Sequence, residues 1–161
     1  MLFRSDRKEA LTDVLGFSAG LEAVSAKLAP VQVELVWRAA VFYALAHQLD
    51  QPGTPERAYA LFTKVLEVAP DHAAANYFFG VFLSGAGRPK EALPHLEKAK
   101  AAGVAPAERA LGVAYLSSGD VPRALDCLRS HVKKHPEDDQ TATLVKGLEG
   151  GKVRFEQVPV R

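Results

Sequence analysis

Apolar positions come in helical periods along almost the whole chain. Leu11, Val14, Leu15, Leu21, Val24 and Leu28 recur at three-, four- and seven-residue steps, the pattern of an amphipathic helix. Asp6 followed by Glu9 resembles a capping box that starts it, and Pro30 ends it. Gly16 and Gly20 weaken it by about 1 kcal/mol each relative to alanine. The same spacing then predicts helices over about 31–49, 56–68, 72–83, 89–100, 106–116, 121–134 and 138–149. QPGTP, SGAGRP and SSGDVP read as turns, and Asp120 and Asp138 or Asp139 as helix starts. Pro94 falls inside a predicted helix, where it removes a hydrogen bond and is expected to kink the helix or delay its start. No segment between Pro30 and Gly150 reads as a strand, so the fold class is all-α. The tail KVRFEQVPVR alternates weakly and is broken by Pro159.

Helix pairs joined by short turns call for a test of internal repetition. Ala46, Gly80 and Gly112 occupy equivalent positions, and Ala58, Ala92 and Ala124 each follow twelve residues later (58−46, 92−80, 124−112). Around the first set stand Phe42 and Leu45, Phe79 and Leu83, and Leu111 and Tyr115. Around the second set stand Phe62, Leu96 and Leu128, each four residues beyond its alanine. Small residues at both positions let the paired helices approach closely. One such pair cannot bury its apolar stripe alone, whereas stacked neighbours can.

This register resembles the tetratricopeptide repeat, W-x2-L-G-x2-Y, then A-x3-F, then P, over about 34 residues. The resemblance covers roughly residues 39–138 and implies a helical-hairpin solenoid, wound as a right-handed superhelix. It implies one domain over 1–150: an extra helix at about 6–29, repeats at about 39–72, 73–104 and 105–138, and a capping helix at about 138–149. Residues 151–161 form a tail. The chain departs from the pattern at the tryptophan position, which holds Phe42, Asn76 and Glu108.

In this family the first helix of each pair lines an inner groove. Carried over, the groove positions are Ala40, Tyr43, His47 and Asp50 in the first repeat. They are Ala74, Tyr77, Val81 and Ser84 in the second, with Phe78 nearby, and Pro106, Arg109, Val113 and Leu116 or Ser117 in the third. Tyr43, His47, Tyr77, Phe78, Val81, Arg109 and Val113 are therefore the candidate partner-binding residues. Tyrosine and arginine are enriched at interface hot spots. The clamp with which some relatives hold acidic chaperone tails is missing, since its positions hold Tyr43, His47, Phe78, Pro106 and Ala110. An apolar extended peptide or an amphipathic helix suits such a groove better.

Charge and composition narrow the function further. Twenty basic against nineteen acidic residues leave a formal charge of +1, which gives no footprint for nucleic acid. No run approaches the roughly 18 apolar residues of a membrane span, so membrane insertion is not expected. One cysteine, Cys127, permits no internal disulfide. The charged start MLFRSDRKEA does not read as a signal peptide. The expected location is cytoplasmic, or periplasmic if a leader has been removed.

Cys127, His131 and His135 lie at i, i+4 and i+8, a spacing that can hold zinc. His135, however, suits a helix C-terminus and His131 a packing position. No metal or cofactor is expected. GAGRPK lacks the spacing of a phosphate loop, and no catalytic motif occurs. The sequence thus points to a non-catalytic adaptor with a protein or peptide partner. Alternatives are a chaperone similar to those of type III secretion, an envelope assembly factor, or a homo-oligomeric scaffold whose tail enters a neighbour's groove.

Overall fold

A computed structural model describes residues 30–47 and 52–151, together with a few positions between 12 and 20. Among the described residues from Pro30 onward, seven helices follow one another: α1 (Pro30–His47), α2 (Thr54–Val68), α3 (Ala73–Gly85), α4 (Pro89–Ala101), α5 (Ala107–Ser117), α6 (Val121–Lys134) and α7 (Asp139–Glu149). No strand occurs among the described residues. The described positions between 12 and 20 are helical, and the rest of the expected N-terminal helix and the tail 152–161 lie outside the described residues. The chain forms two compact units, residues 1–75 and 76–161.

Local chemistry explains the boundaries. Three turns share one hydrogen-bond pattern. Arg88, Val104 and Asp120 N–H groups reach back five residues to the carbonyls of Leu83, Ala99 and Tyr115, at 2.9, 3.0 and 2.9 Å. Gly87, Gly103 and Gly119 make the inner bonds to Ser84, Lys100 and Leu116. These are Schellman turns, which need a left-handed residue at that point. The three glycines accordingly have φ of 74°, 80° and 89°. Gly53, also left-handed, precedes α2, which starts at Thr54 with a proline in its first turn, two residues before the sequence expectation. Asp120 and Asp138 cap α6 and α7, their carboxylates accepting from the backbone N–H of Arg123 and Thr141. Pro94 does not delay α4, which starts at Pro89 and continues through it.

In the first unit α1 packs on α2 through Val36, Ala39, Ala40, Tyr43 and Ala46 against Ala58, Leu61, Phe62 and Val65, all buried. In the second unit the small residues sit where helices nearly touch. A Cβ on Gly80 would lie 2.5 Å from Leu96 Cγ, and one on Gly112 2.7 Å from Leu128 Cγ. Both leucines are fully buried, and so are Ala92 and Ala124. Two of the departures from the family pattern, Asn76 and Glu108, become polar seals. Asn76, 1% exposed, accepts from His95 Nδ1 at 2.9 Å. Glu108 accepts from Ser130 at 2.8 Å and Lys134 at 2.7 Å, with Lys100 at 3.3 Å, tying α4, α5 and α6 together. Burial opposes its charge, but these donors outweigh burial and hold its carboxyl down at about 2.

Candidate functional site

The second unit carries a groove of about 310 Å³. Tyr77, Val81, Ser84 and Gly85 of α3 line it, with Pro106, Arg109, Ala110, Val113 and Ser117 from α5 and its entry, and Leu96 at its base. Val81 and Val113 are 39% and 37% exposed, although they are aliphatic. They stay exposed because Gly80 and Gly112, their immediate predecessors, occupy the crossing face against α4 and α6, which leaves the next position pointing away. The 3.6-residue period then sets Tyr77 and Arg109 one turn earlier beside them.

Four of the seven candidate partner-binding residues therefore meet here, Tyr77, Val81, Arg109 and Val113, together with the expected groove positions Ser84 and Pro106. Ser117 rather than Leu116 completes the α5 stripe, since Leu116 is buried at 3% exposure. Phe78 does not line this groove; it meets Tyr77 edge-on at 5.0 Å. Tyr43 is not on an open face at all. It is 1% exposed, its ring lies under the Arg57 guanidinium at 5.6 Å, and its hydroxyl accepts from Arg57 Nη1 at 3.3 Å. This repeat position is therefore core in the first hairpin, with a bonded partner on the neighbouring helix. Ala40 is likewise buried, and the side chain of His47 lies outside the described residues.

Electrostatics in the groove come from one cation. Burial pushes the Tyr77 hydroxyl up, partly offset by the nearby Arg109 charge. Arg109 Nε donates to Thr141 Oγ1 at 2.8 Å and lies 3.3 Å from Asp138 Oδ2. The Asp138 carboxylate also accepts from the Thr141 hydroxyl at 2.6 Å and backbone N–H at 3.0 Å, and from His131 Nε2 at 3.1 Å. The Thr141 bonds lead in holding it well below the usual carboxylate range, with His131 and Arg109 assisting. The sequence marks Asp138 or Asp139 as a helix start but carries no sign of the Asp138 link to the groove. The D-x-x-T spacing signals only the cap, because the approach to Arg109 joins residues 29 and 32 positions apart (138−109, 141−109).

The His131 and His135 rings lie 4.7 Å apart, but His131 turns to Asp138 and His135 Nδ1 to Glu137 at 3.2 Å. Among the described residues no group of three His, Cys, Asp or Glu side chains is placed to hold a metal ion. Cys127 sits beside a second crevice with Tyr115, whose hydroxyl donates to Glu97 at 2.6 Å. Burial pushes the Cys127 thiol up, so it stays protonated and weakly nucleophilic. No described helix is long and apolar enough to cross a membrane.

A family model for the tetratricopeptide repeat matches residues 49–103 and 83–148, well over half of the chain. No curated protein sequence matches it. Among solved structures, the chain is similar to MamA (residues 41 to the end) from Desulfovibrio magneticus RS-1, with a TM-score of 0.65 and 28% identity. That match covers 74% of this chain and 66% of the other, so this chain spans just under two thirds of it. A MamA RS-1 ArsTM double mutant matches with a TM-score of 0.65 and 26% identity, over 92% of this chain and 90% of that one.

Proposed function

The chain belongs to the tetratricopeptide repeat family, and from that premise we propose that it is a non-catalytic adaptor. Its groove between Tyr77, Val81, Arg109 and Val113 holds an aliphatic peptide segment of a protein partner. One observation carries this reading: two exposed valines from separate helices face the same groove, with a tyrosine and a guanidinium beside them. Burying such side chains yields roughly 25 cal/mol per Å² of apolar surface, and the two amphipathic groups supply orientation. The groove belongs to the second and third of three repeats, at about 73–104 and 105–138, with the repeat at 39–72 before them and α7 as the cover.

A photo-crosslinker at Val113 of the full chain tests the reading in cells, with captured proteins identified by mass spectrometry. The adduct is expected to disappear in the Tyr77→Ala/Arg109→Ala variant, with its helical circular dichroism retained at the assay temperature. Capture that persists in that variant overturns the assignment.

A further inference from the structure

α7 looks at first like a passive cover, since only Thr141 and Val145 on it are buried. Its first turn is nevertheless bonded to a groove residue. Thr141, 1% exposed, accepts from Arg109 Nε at 2.8 Å and donates to Asp138 at 2.6 Å. Asp138 in turn lies within 3.3 Å of Arg109 and takes a bond from the buried His131 at 3.1 Å. The Arg109 guanidinium is thereby held at its Nε edge. Its terminal nitrogens make no hydrogen bond among the described residues, and its side chain is 45% exposed.

We infer that Asp138 and Thr141 are positioning residues of the groove, presenting the Arg109 terminal nitrogens to a carboxylate on the partner next to its aliphatic side chains. The inference rests on the proposed groove and adds both its partner chemistry and the part of the chain that sets it. An arginine fork free in water loses rotamer entropy on pairing, whereas one already fixed loses less. One guanidinium, half engaged by Asp138, has room for a single carboxylate. That favours an aliphatic segment with one acid over a run of acids. Thr141→Val keeps the bulk and leaves the α7 cap standing, because Asp138 still receives the Thr141 backbone N–H at 3.0 Å.

The test titrates sodium hexanoate and, separately, 1-hexanol into the full chain, followed by NMR at the Val81 and Val113 methyls and the Arg109 Nε–H. Hexanoate is expected to bind about tenfold more tightly than hexanol, the ratio expected of one charge-assisted bond. Thr141→Val should remove most of that ratio while leaving hexanol affinity unchanged, and Thr141→Ser should restore it. Neither compound shifting the methyls overturns the groove itself. Equal affinities overturn the carboxylate preference. A preference that Thr141→Val leaves intact, with α7 amide exchange unchanged, overturns the positioning role while sparing the groove. If Thr141→Val loosens α7 as judged by amide exchange, Thr141→Ser decides: failure to restore the preference in a folded α7 sinks the inference.

Discussion

The first helical hairpin and the third use one register to opposite ends. Tyr43 and Arg109 hold the same repeat position, yet Tyr43 is 1% exposed and the Arg109 side chain 45%. The first hairpin buries an alanine at each of the two small positions, Ala46 and Ala58, whereas the third has Gly112 beneath Leu128. At the tryptophan position of the family pattern stand Phe42, 36% exposed, and Glu108, 6% exposed and bonded to Ser130 and Lys134. A repeat register fixes which side a residue faces along its helix. Whether that side is covered depends on what packs against it, and the Arg57 guanidinium lies over the Tyr43 ring.

Truncating the crossing partners should break both hairpins most severely. Phe62→Ala and Leu128→Ala remove fully buried side chains, with expected costs of roughly 3–5 and 2–5 kcal/mol in denaturant unfolding. If either costs less than about 1 kcal/mol, that residue is not a core contact. The glycines separate the hairpins more finely. Gly112→Ala is expected to destabilise by about 1–3 kcal/mol, since its Cβ would lie 2.7 Å from Leu128 Cγ and 3.3 Å from Cys127 Cβ. Ala46→Gly should also destabilise, by about 1 kcal/mol, through helix propensity alone. A rise in Tm for Gly112→Ala removes the close approach from the argument.

Acid titration compares two carboxylates of similar strength in different settings. Glu34 is held at about 2 chiefly by a bond with His72, then by Trp37 and Arg38, but its side chain is 54% exposed. Glu108 sits equally low, at about 2, with 8% exposure. Both folded values lie below the ordinary 4.5, so both contributions are present above about pH 4.5 and lost as pH falls towards 2. Solvent screening shrinks the Glu34 share. Glu108→Gln should therefore flatten the loss of Tm between pH 5 and 2 more than Glu34→Gln does, with the reverse order counting against the buried network. The smallest contrast lies at the tyrosines. Tyr43→Phe should cost about 0.5–1.5 kcal/mol through its buried hydroxyl, while Tyr77→Phe stays within about 0.5 kcal/mol.

Much of this was legible in sequence because periodicity and punctuation are local. The twelve-residue spacing from small residue to alanine found the hairpins, and Asp120 and Asp138 marked helix starts that the backbone uses. The three left-handed glycines stand in turns the sequence had placed or left between helices, each with a proline two or three residues on. Pro94 does not delay α4, which starts at Pro89 and runs through it. The groove was half legible. Val81 and Val113 follow the crossing glycines, so their outward direction is a matter of helix geometry. Tyr43 is buried and bonded to Arg57, fourteen residues away (57−43), and nothing in the repeat pattern specifies that partner.

By itself, then, the sequence determined the helices, their pairing and the faces they turn to one another, since each follows from apolar spacing and turn chemistry within about 35 residues. The tertiary structure alone decided that Asn76 and Glu108 close their hairpins with polar bonds, that Tyr43 is core, and that Arg109 is held by the cap of α7. Those outcomes come from side chains of separate helices meeting at hydrogen-bond distance, and hydrogen bonds at 2.6–3.3 Å leave no trace in hydrophobic period.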